Sequence, residues 1–346
     1  MYNPMMPRPL DRATVCRGNA MEIKQRAVAI ALALLTVLGI GNAGQALDYP
    51  NGRITLVVPF PPGGGNDAMA RIMADRLSAR LGQTVVVDNR GGAGGIVGTR
   101  SAAKAAPDGY TLLLGHTGSV GINPTLYRNA GFDTLKDFTP IGLIATMPLA
   151  LLVHPSVQAK NVGELIGLAK VSPGTLNLGS SSKGTGSHMC AEMFMQAAGV
   201  KMNLIPYKGT AQTLTDLIGG HTQVTFTVIP PAFGAITSGQ LRPLAVTSPQ
   251  RSMLLPDVPT ASESGLPGFD VVLNYGLLAP AGTPKAIVDK INQAMWAALA
   301  DEEVKKRISA DGAEAMSSTP VEYAAIVERD LTRWADLITT LNLKVD

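Results

Sequence analysis

The sequence is poor in cysteine, in charged side chains and in aromatic side chains, and each shortage excludes a class of protein. Its two cysteines, Cys16 and Cys190, exclude a disulfide scaffold and a cysteine-based zinc site. Charged residues are 16% of the chain, below the usual value of about 25%, which excludes disorder caused by charge. Aromatic residues are 5% and no basic cluster accompanies them, so we expect no nucleic-acid partner.

Catalytic and metal-binding motifs are missing as well. The chain has no Gly-x-Ser-x-Gly segment and no His-Glu-x-x-His segment. Its four histidines, His116, His154, His188 and His221, are far apart and lack the spacing of metal ligands. We therefore predict a protein that is not an enzyme and that uses no metal or cofactor.

Residues 1–46 are predicted to be an N-terminal extension and a secretory signal peptide, the signal at about 21–46. Basic residues precede an apolar run of about 14 residues, and Gly44 and Ala46 occupy the −3 and −1 positions of a cleavage site. A transmembrane anchor is the weaker alternative, because a bilayer span needs about 20 apolar residues. We expect an exported, periplasmic protein.

Removal of this segment changes the charge of the molecule. The whole chain has 29 basic and 26 acidic residues, a formal charge of +3. Residues 1–46 contain five of the basic and two of the acidic residues, so 24 of each remain. Anion recognition in the exported chain must then come from local groups and not from a basic surface.

The rest of the chain alternates apolar strands with helices, which predicts an α/β fold. Arg53–Val58 has the pattern of a strand, and Asp67–Leu81 has apolar residues at helical spacing. The alternation recurs later, which predicts two lobes with mostly parallel sheets. We place lobe 1 at 47–148 plus 270–346 and lobe 2 at 149–269.

Other elements are predicted near the boundaries of the lobes. The predicted strands are Ile141–Met147, Leu149–Val153 and Val271–Leu278, and the predicted final helices are Pro284–Leu299, Asp301–Ala310 and Pro320–Leu341.

The first glycine-rich segment, Val58–Asp67, follows a strand and opens a helix. Glycines let backbone N–H groups approach a ligand, and a helix N-terminus adds unpaired donors and a partial positive charge. This arrangement favours an anion site, although a tight turn capped by Asn66 or Asp67 is an alternative. The candidate ligand-binding residues here are Phe60, Pro62, Gly63, Gly64, Gly65, Asn66 and Asp67.

The second such segment, Gly179–His188, also lies between a strand and a helix. Ligands of open α/β sheets bind at the carboxyl ends of strands, so we expect both segments to face a cleft that holds one or two carboxylates. A solvated serine-rich loop is the alternative, and the glycine cluster at 88–95 lacks the spacing of a dinucleotide motif. The candidates here are Ser181, Ser182, Lys183, Gly184, Thr185, Ser187 and His188.

Several segments together carry a family resemblance. They include YPNGRITLVVPFPPGGGND (49–67), APDGYTLLLG (106–115), INPTLY (122–127) and IPYKGTAQTLTDLIGGH (205–221). In this order they resemble the Bug family of extracytoplasmic solute receptors, the binding proteins of tripartite tricarboxylate transporters. The resemblance covers essentially the whole chain after the signal peptide.

The resemblance implies a fold, a function and partners. It implies a two-lobed periplasmic-binding-protein fold, type II-like, with mixed, mostly parallel sheets and a ligand cleft between the lobes. It implies a monomeric receptor of a Gram-negative bacterium that delivers a small organic acid to the large and small membrane subunits of a transporter. It also implies that the two glycine loops hold a ligand carboxylate, and it adds Thr117, Tyr207, Lys208, Gly209 and Tyr275 to the cleft.

Three positions depart from the family pattern. Members commonly have Gly-Asn-Gly where Ser182-Lys183-Gly184 stands, Asp where Thr227 stands, and Trp near Asn274. Lys183 adds a positive charge and Thr227 removes a negative one, so we predict a carboxylate ligand without an amino group.

Two other functions stay open at this point. The same receptor could dock on a sensor kinase of a two-component system instead of a transporter. A remote alternative is an exported hydrolase using Ser181 or Ser187 with His188. His116 follows a further predicted strand, Thr111–Leu114, and this position suits either a cleft wall or the core.

Overall fold

The structure is a computed structural model, and it describes residues 49–181 and 184–344. The predicted N-terminal extension and signal peptide, residues 1–46, lie outside these residues. In the part of the chain that the structure describes, no helix has both the length and the apolar character needed to cross a membrane.

Within the described residues, ten strands alternate with helices. The strands are β1 Ile54–Val58, β2 Val85–Asn89, β3 Thr111–His116, β4 Phe138–Val153, β5 Asn177–Ser180, β6 Asn203–Pro206, β7 Val224–Val228, β8 Arg242–Val246, β9 Val272–Pro280 and β10 Glu314–Ala315. The α-helices are α1 Gly65–Leu81, α2 Ile96–Ala103, α3 Asn123–Leu126, α4 Thr134–Asp137, α5 Val162–Val171, α6 Gly186–Ala198, α7 Thr210–Ile218, α8 Phe233–Thr237, α9 Lys285–Leu299, α10 Glu302–Ala310 and α11 Pro320–Thr340. Short 3₁₀-helices occupy Ala93–Gly95 and Pro230–Ala232, and a π-helix occupies Thr117–Ile122.

The strands hydrogen-bond in the order β2-β1-β3-β9-β4-β7-β5-β6, and β8 and β10 also pair with β4. We call β1–β3, β9 and the N-terminal part of β4 the first half of the sheet. We call β5–β8 and the C-terminal part of β4 the second half. The outer pairs of each half are parallel, as the alternation predicts, whereas β4 pairs antiparallel with each of its partners and so does β3 with β9. The sheet is therefore more mixed than the alternation suggests.

Strand β4 joins the two halves and is one strand of 16 residues, where the sequence predicts two. Pro148 interrupts the apolar pattern and lacks the N–H that a strand normally donates. In the structure Pro148 is the last residue of β4 paired with β9, and Leu149 is the first paired with β7. The missing donor falls at the change of partner, so the strand continues.

Each half has its own hydrophobic core. The first consists of Val57, Ala102, Leu113, Val120, Phe138, Leu143, Leu278, Tyr323 and Val327. The second consists of Ala150, Leu152, Leu214, Leu217, Ile229, Ala232, Leu241, Val246 and Leu255.

The C-terminal helix α11 packs on the first half through Tyr323. Gly115 and Gly276 are paired across β3 and β9, and a Cβ atom on Gly276 would lie 2.2 Å from Cζ of Tyr323. The two glycines therefore make the depression that receives the ring. Because α11 follows β9 in the chain, this contact brings the last described helix back to the half that contains β1.

Candidate functional site

A cavity of about 390 Å³ is lined by residues of both halves of the sheet. The first half contributes Phe60, Gly94, His116, Gly118, Asn123, Tyr127 and Leu273, and the second half contributes Leu149, Ser181, Gly184, Thr185, Gly186, Ser187, Thr210, Thr227 and Val228. The structure thus brings five predicted residues together, namely Phe60, Ser181, Gly184, Thr185 and Ser187.

Helix α6 begins at this cavity. Thr185 is its N-cap, and the Thr185 hydroxyl accepts a hydrogen bond from the backbone N–H of His188 at 3.3 Å. The next two residues, Gly186 and Ser187, have backbone N–H groups with no intrahelical acceptor, because the first turn of a helix lacks carbonyls to receive them. Together with the helix dipole, these amides favour an anion in the cavity.

The side chains of Ser187 and His188 are already committed to the protein. The Ser187 hydroxyl donates to the carbonyl oxygen of Phe226. His188 Nδ1 accepts from the backbone N–H of Gly184 at 3.3 Å, and its Nε2 lies 3.8 Å from a carboxylate oxygen of Glu192. His188 therefore orders its own loop and does not activate Ser187.

Thr227 and Val228 show how the second half completes the cavity. They end β7, which runs parallel to β5, and β5 itself ends just before Ser181. The carboxyl ends of neighbouring parallel strands meet at one edge of a sheet, which is the signal that could have found Val228 from sequence. Thr227 was recognised only as a departure from a family pattern.

His116 forms part of the wall from the first half. Its ring lies edge-on to Phe60, with centroids 5.8 Å apart, and tilted against Tyr275 at 4.9 Å. Burial lowers the pKa of His116 to about 4, so the ring is neutral at physiological pH. Of the two positions that the sequence allows, the structure places His116 at the cavity.

The described part of the cavity wall carries little charge. Among the lining residues within 49–181 and 184–344, none is Asp, Glu, Lys or Arg. An anion bound there would be balanced by backbone N–H groups and hydroxyls, and an ammonium group would meet no carboxylate among the described lining residues.

The first glycine loop contributes only Phe60 to this cavity. Residues Pro62–Gly65 are exposed, and the N–H of Gly63 donates to Oδ2 of Asp67 at 3.0 Å. Arg71 Nε donates to the same oxygen at 2.9 Å, and this bond is the largest cause that lowers the pKa of Asp67. One amide of the loop is therefore used by the loop itself. Contact of Pro62, Gly63, Gly64, Gly65, Asn66 and Asp67 with a ligand stays a prediction.

The residues added by resemblance lie around the cavity and do not line it. Thr117 is buried, and its hydroxyl oxygen accepts from the backbone N–H of Asn274 at 2.7 Å. Tyr275 is buried behind His116. Tyr207 donates to Asp216 at 2.7 Å, and burial, followed by this bond, raises the pKa of Tyr207 to about 12.

The remaining predicted residues are of two kinds, those that the structure describes and those that it does not. Lys208 is exposed, and Gly209 is the N-cap of α7, whose first residue Thr210 lines the cavity. Ser182 and Lys183 lie outside the described residues, so their roles stay predictions.

Sequence reasoning missed most of the first-half wall. Asn123 is the first residue of α3 and Tyr127 follows its last, and Asn123 Nδ2 donates to the carbonyl of Gly94 at 2.6 Å. This bond ties the third glycine cluster to the cavity. The segment INPTLY containing both residues was noticed only as part of a resemblance.

Comparison with known proteins identifies relatives along nearly the whole described chain. Residues 69–343 match the family model described as "Tripartite tricarboxylate transporter family receptor". Protein BugT of Bordetella pertussis is 34% identical over 321 residues, which are 92% of this chain and 98% of that protein.

Solved structures are similar as well. Periplasmic binding protein BugD is 38% identical with a TM-score of 0.70, covering 86% of this chain and 99% of that one. R. palustris Rpa4515 with adipate is 36% identical with a TM-score of 0.74, and the match covers 86% of this chain and 99% of that one. These likenesses confirm the predicted fold class, a two-lobed α/β periplasmic binding protein.

Proposed function

Because the chain belongs to the tripartite tricarboxylate transporter receptor family, we propose that it captures a small carboxylate in the cavity between the two halves and delivers it to a membrane transporter. The supporting observation is the start of α6, whose first residues, Gly186 and Ser187, line a cavity without charged side chains among its described lining residues. In this proposal the halves are the lobes, 47–148 plus 270–346 and 149–269, and the chain is exported after cleavage at Ala46.

The family consists of solute-binding receptors and not of enzymes. The expectation that the protein is not an enzyme is therefore confirmed, and the alternative of an exported serine hydrolase is wrong. The side-chain geometry agrees, since His188 bonds within its own loop and Ser187 bonds to Phe226.

We assign the ligand carboxylate to the α6 end of the cavity. Gly186 and Ser187 supply backbone N–H groups, and Ser181 and Thr185 supply hydroxyls whose oxygens lie 3.2 Å apart. The carboxylate in the structure of Rpa4515 is adipate, which supports an organic acid as the ligand class. Thr227 lines the cavity at a position where family members commonly have Asp. Since threonine offers no carboxylate to pair with an ammonium group, this supports an acid that has no amino group.

Thermal-shift and calorimetric titrations of the exported protein test this function. The titrants are adipate, succinate, citrate and benzoate, with aspartate and glutamate as matched zwitterions. We expect at least one acid to bind, and at 1,000 times its Kd to stabilise the fold by about 4 kcal/mol. Tight binding of an amino acid, with no response to any simple carboxylate, would contradict the proposal.

A further inference from the structure

His116 is the last residue of β3 and the cap of the π-helix that follows. Its Nδ1 accepts a hydrogen bond from the backbone N–H of Gly118 at 3.1 Å. Its own backbone N–H donates to the Ser119 hydroxyl at 3.2 Å, and that hydroxyl donates back to the His116 carbonyl at 3.1 Å. The ring is thus fixed at its base by the turn that it caps.

The hydrogen bond at Nδ1 fixes the tautomer. A neutral imidazole has one protonated nitrogen and one acceptor nitrogen, so an Nδ1 that accepts leaves the proton on Nε2. The ring is neutral because burial holds its pKa far below physiological pH. Nε2–H is therefore a donor that carries no positive charge at physiological pH.

The surroundings of the ring leave this donor available. Phe60 and Tyr275 contact the ring as aromatic neighbours. Among the described residues none hydrogen-bonds to Nε2. This atom is also absent from the fully enclosed polar atoms without a partner, so it is unpaired but not enclosed by the protein. Since the residue lines the cavity, the free donor belongs to the cavity wall.

We propose that His116 is a specificity-determining residue whose Nε2–H donates to an oxygen of the bound carboxylate ligand. The proposal rests on the proposed function, and it adds a side-chain donor from the first half to the amides that α6 presents from the second. A ligand that reaches His116 is then held by both halves at once. A neutral N–H group also donates to a carboxylate, carbonyl or hydroxyl oxygen. It cannot donate to an ammonium group, which has no lone pair to accept the hydrogen bond.

Two substitutions separate the donor from the cap. In His116→Asn the amide oxygen can still accept from Gly118, but no donor remains at the position of Nε2. In His116→Gln the amide nitrogen reaches the position of Nε2 and restores a donor. The probes are adipate, succinate, citrate and benzoate, and the readouts are the melting temperature without ligand and the Kd by calorimetry.

We expect His116→Asn to melt close to the unchanged protein and to bind the best probe about tenfold to a hundredfold more weakly. We expect His116→Gln to recover most of that loss. Equal affinity of His116→Asn and the unchanged protein would overturn the inference, because the residue would then act only as a cap. Equal losses in both variants would also overturn it, since the ring and not its donor would matter.

The unchanged protein supplies the remaining check. If it binds none of the four acids, the proposed function fails and this inference fails with it, whereas a bound acid with unaffected variants contradicts this inference alone. Nitrogen-15 spectra of the histidine ring give a test that needs no variant. We expect a neutral ring protonated at Nε2, with the Nε2 signal shifting when the acid binds; a ring protonated at Nδ1 would overturn the inference.

Discussion

Gly184 is a residue at which the two halves approach closely in the described site. It adopts a left-handed backbone conformation, with φ of +77°, which favours glycine. A Cβ atom on Gly184 would lie 2.3 Å from Cδ2 of Leu126, which belongs to the first half. The glycine therefore satisfies both a backbone requirement within its loop and a space requirement across the cavity.

Gly184→Ala should weaken binding of the best carboxylate probe, because the added methyl group prevents the two halves from approaching fully. Overpacking costs about 1–3 kcal/mol, or about fivefold to a hundredfold in Kd, which calorimetry can measure. Gly174 provides a matched control, since its φ is also +77° and a Cβ atom there has no neighbour within 4 Å. Gly174→Ala should carry only the backbone strain of about 1 kcal/mol and leave the affinity unchanged.

A third variant tests the assignment of this contact. Leu126→Ala combined with Gly184→Ala should recover part of the lost affinity, because the smaller side chain vacates the overlapping space. If Gly184→Ala binds as tightly as Gly174→Ala, the approach of Gly184 to Leu126 has no part in binding.

At the scale of elements, strand β9 and helix α11 are joined by a buried polar pair. Asn274 Nδ2 donates to Oδ2 of Asp330 at 2.8 Å, and the backbone N–H of Asn274 donates to Thr117, next to His116. Burial raises the pKa of Asp330, although Asn274 and the nearby Arg329 and Arg333 lower it. Helix α11 is thereby linked to the turn that forms the cavity wall.

This raised pKa has a definite effect on stability. The folded protein holds the Asp330 proton more tightly than the unfolded chain does. The contribution of Asp330 to the free energy of unfolding is therefore fully present below the unfolded pKa and is lost as the pH rises through the folded pKa. Asp330→Asn should remove that loss, so its melting temperature should fall less between pH 4 and pH 7. Asp336→Asn, at an exposed position of the same helix, should keep the original profile. An unchanged profile in Asp330→Asn would contradict the assignment.

Regular elements were predictable from sequence, and most of the first-half wall of the cavity was not. The helix predicted at Asp301–Ala310 is confirmed as Glu302–Ala310, because its apolar spacing and its Asp301 cap act locally. The π-helix Thr117–Ile122 has no such local signal, being rich in glycine and β-branched residues. Its geometry comes from the local His116 cap and from packing against α11, and the packing joins distant parts of the chain.

The site divides in the same way. Ser181, Gly184, Thr185 and Ser187 were predictable because a strand entering a helix through glycines is a local pattern. Leu149 and Leu273 were not, since they reach the cavity only through the pairing of long strands. Two segments that are far apart in sequence can approach closely in the fold without either one having a sequence pattern that predicts the contact.

At the scale of the whole molecule, recognition of an anion has to work without a basic surface. Residues 47–346 contain 24 basic and 24 acidic side chains, so their formal charge is zero. In the proposed site the attraction that remains comes from the start of α6 and from hydroxyl and imidazole donors, and the part due to α6 acts over about one helical turn. Salt screens charges separated by more than about 10 Å at 0.1 M, so such short contacts are little affected.

We therefore expect the Kd of the best carboxylate probe to change by less than about threefold between 50 and 500 mM sodium chloride. Titrations at four salt concentrations, with pH and temperature held constant, measure the slope. A loss of tenfold or more would instead indicate a contact with a charged side chain, and Lys183, which the sequence places in the second glycine loop, is the candidate. In that case Lys183→Gln would abolish the dependence of the Kd on salt. If the site is neutral as proposed, Lys183→Gln would leave the already small salt dependence of the Kd unchanged.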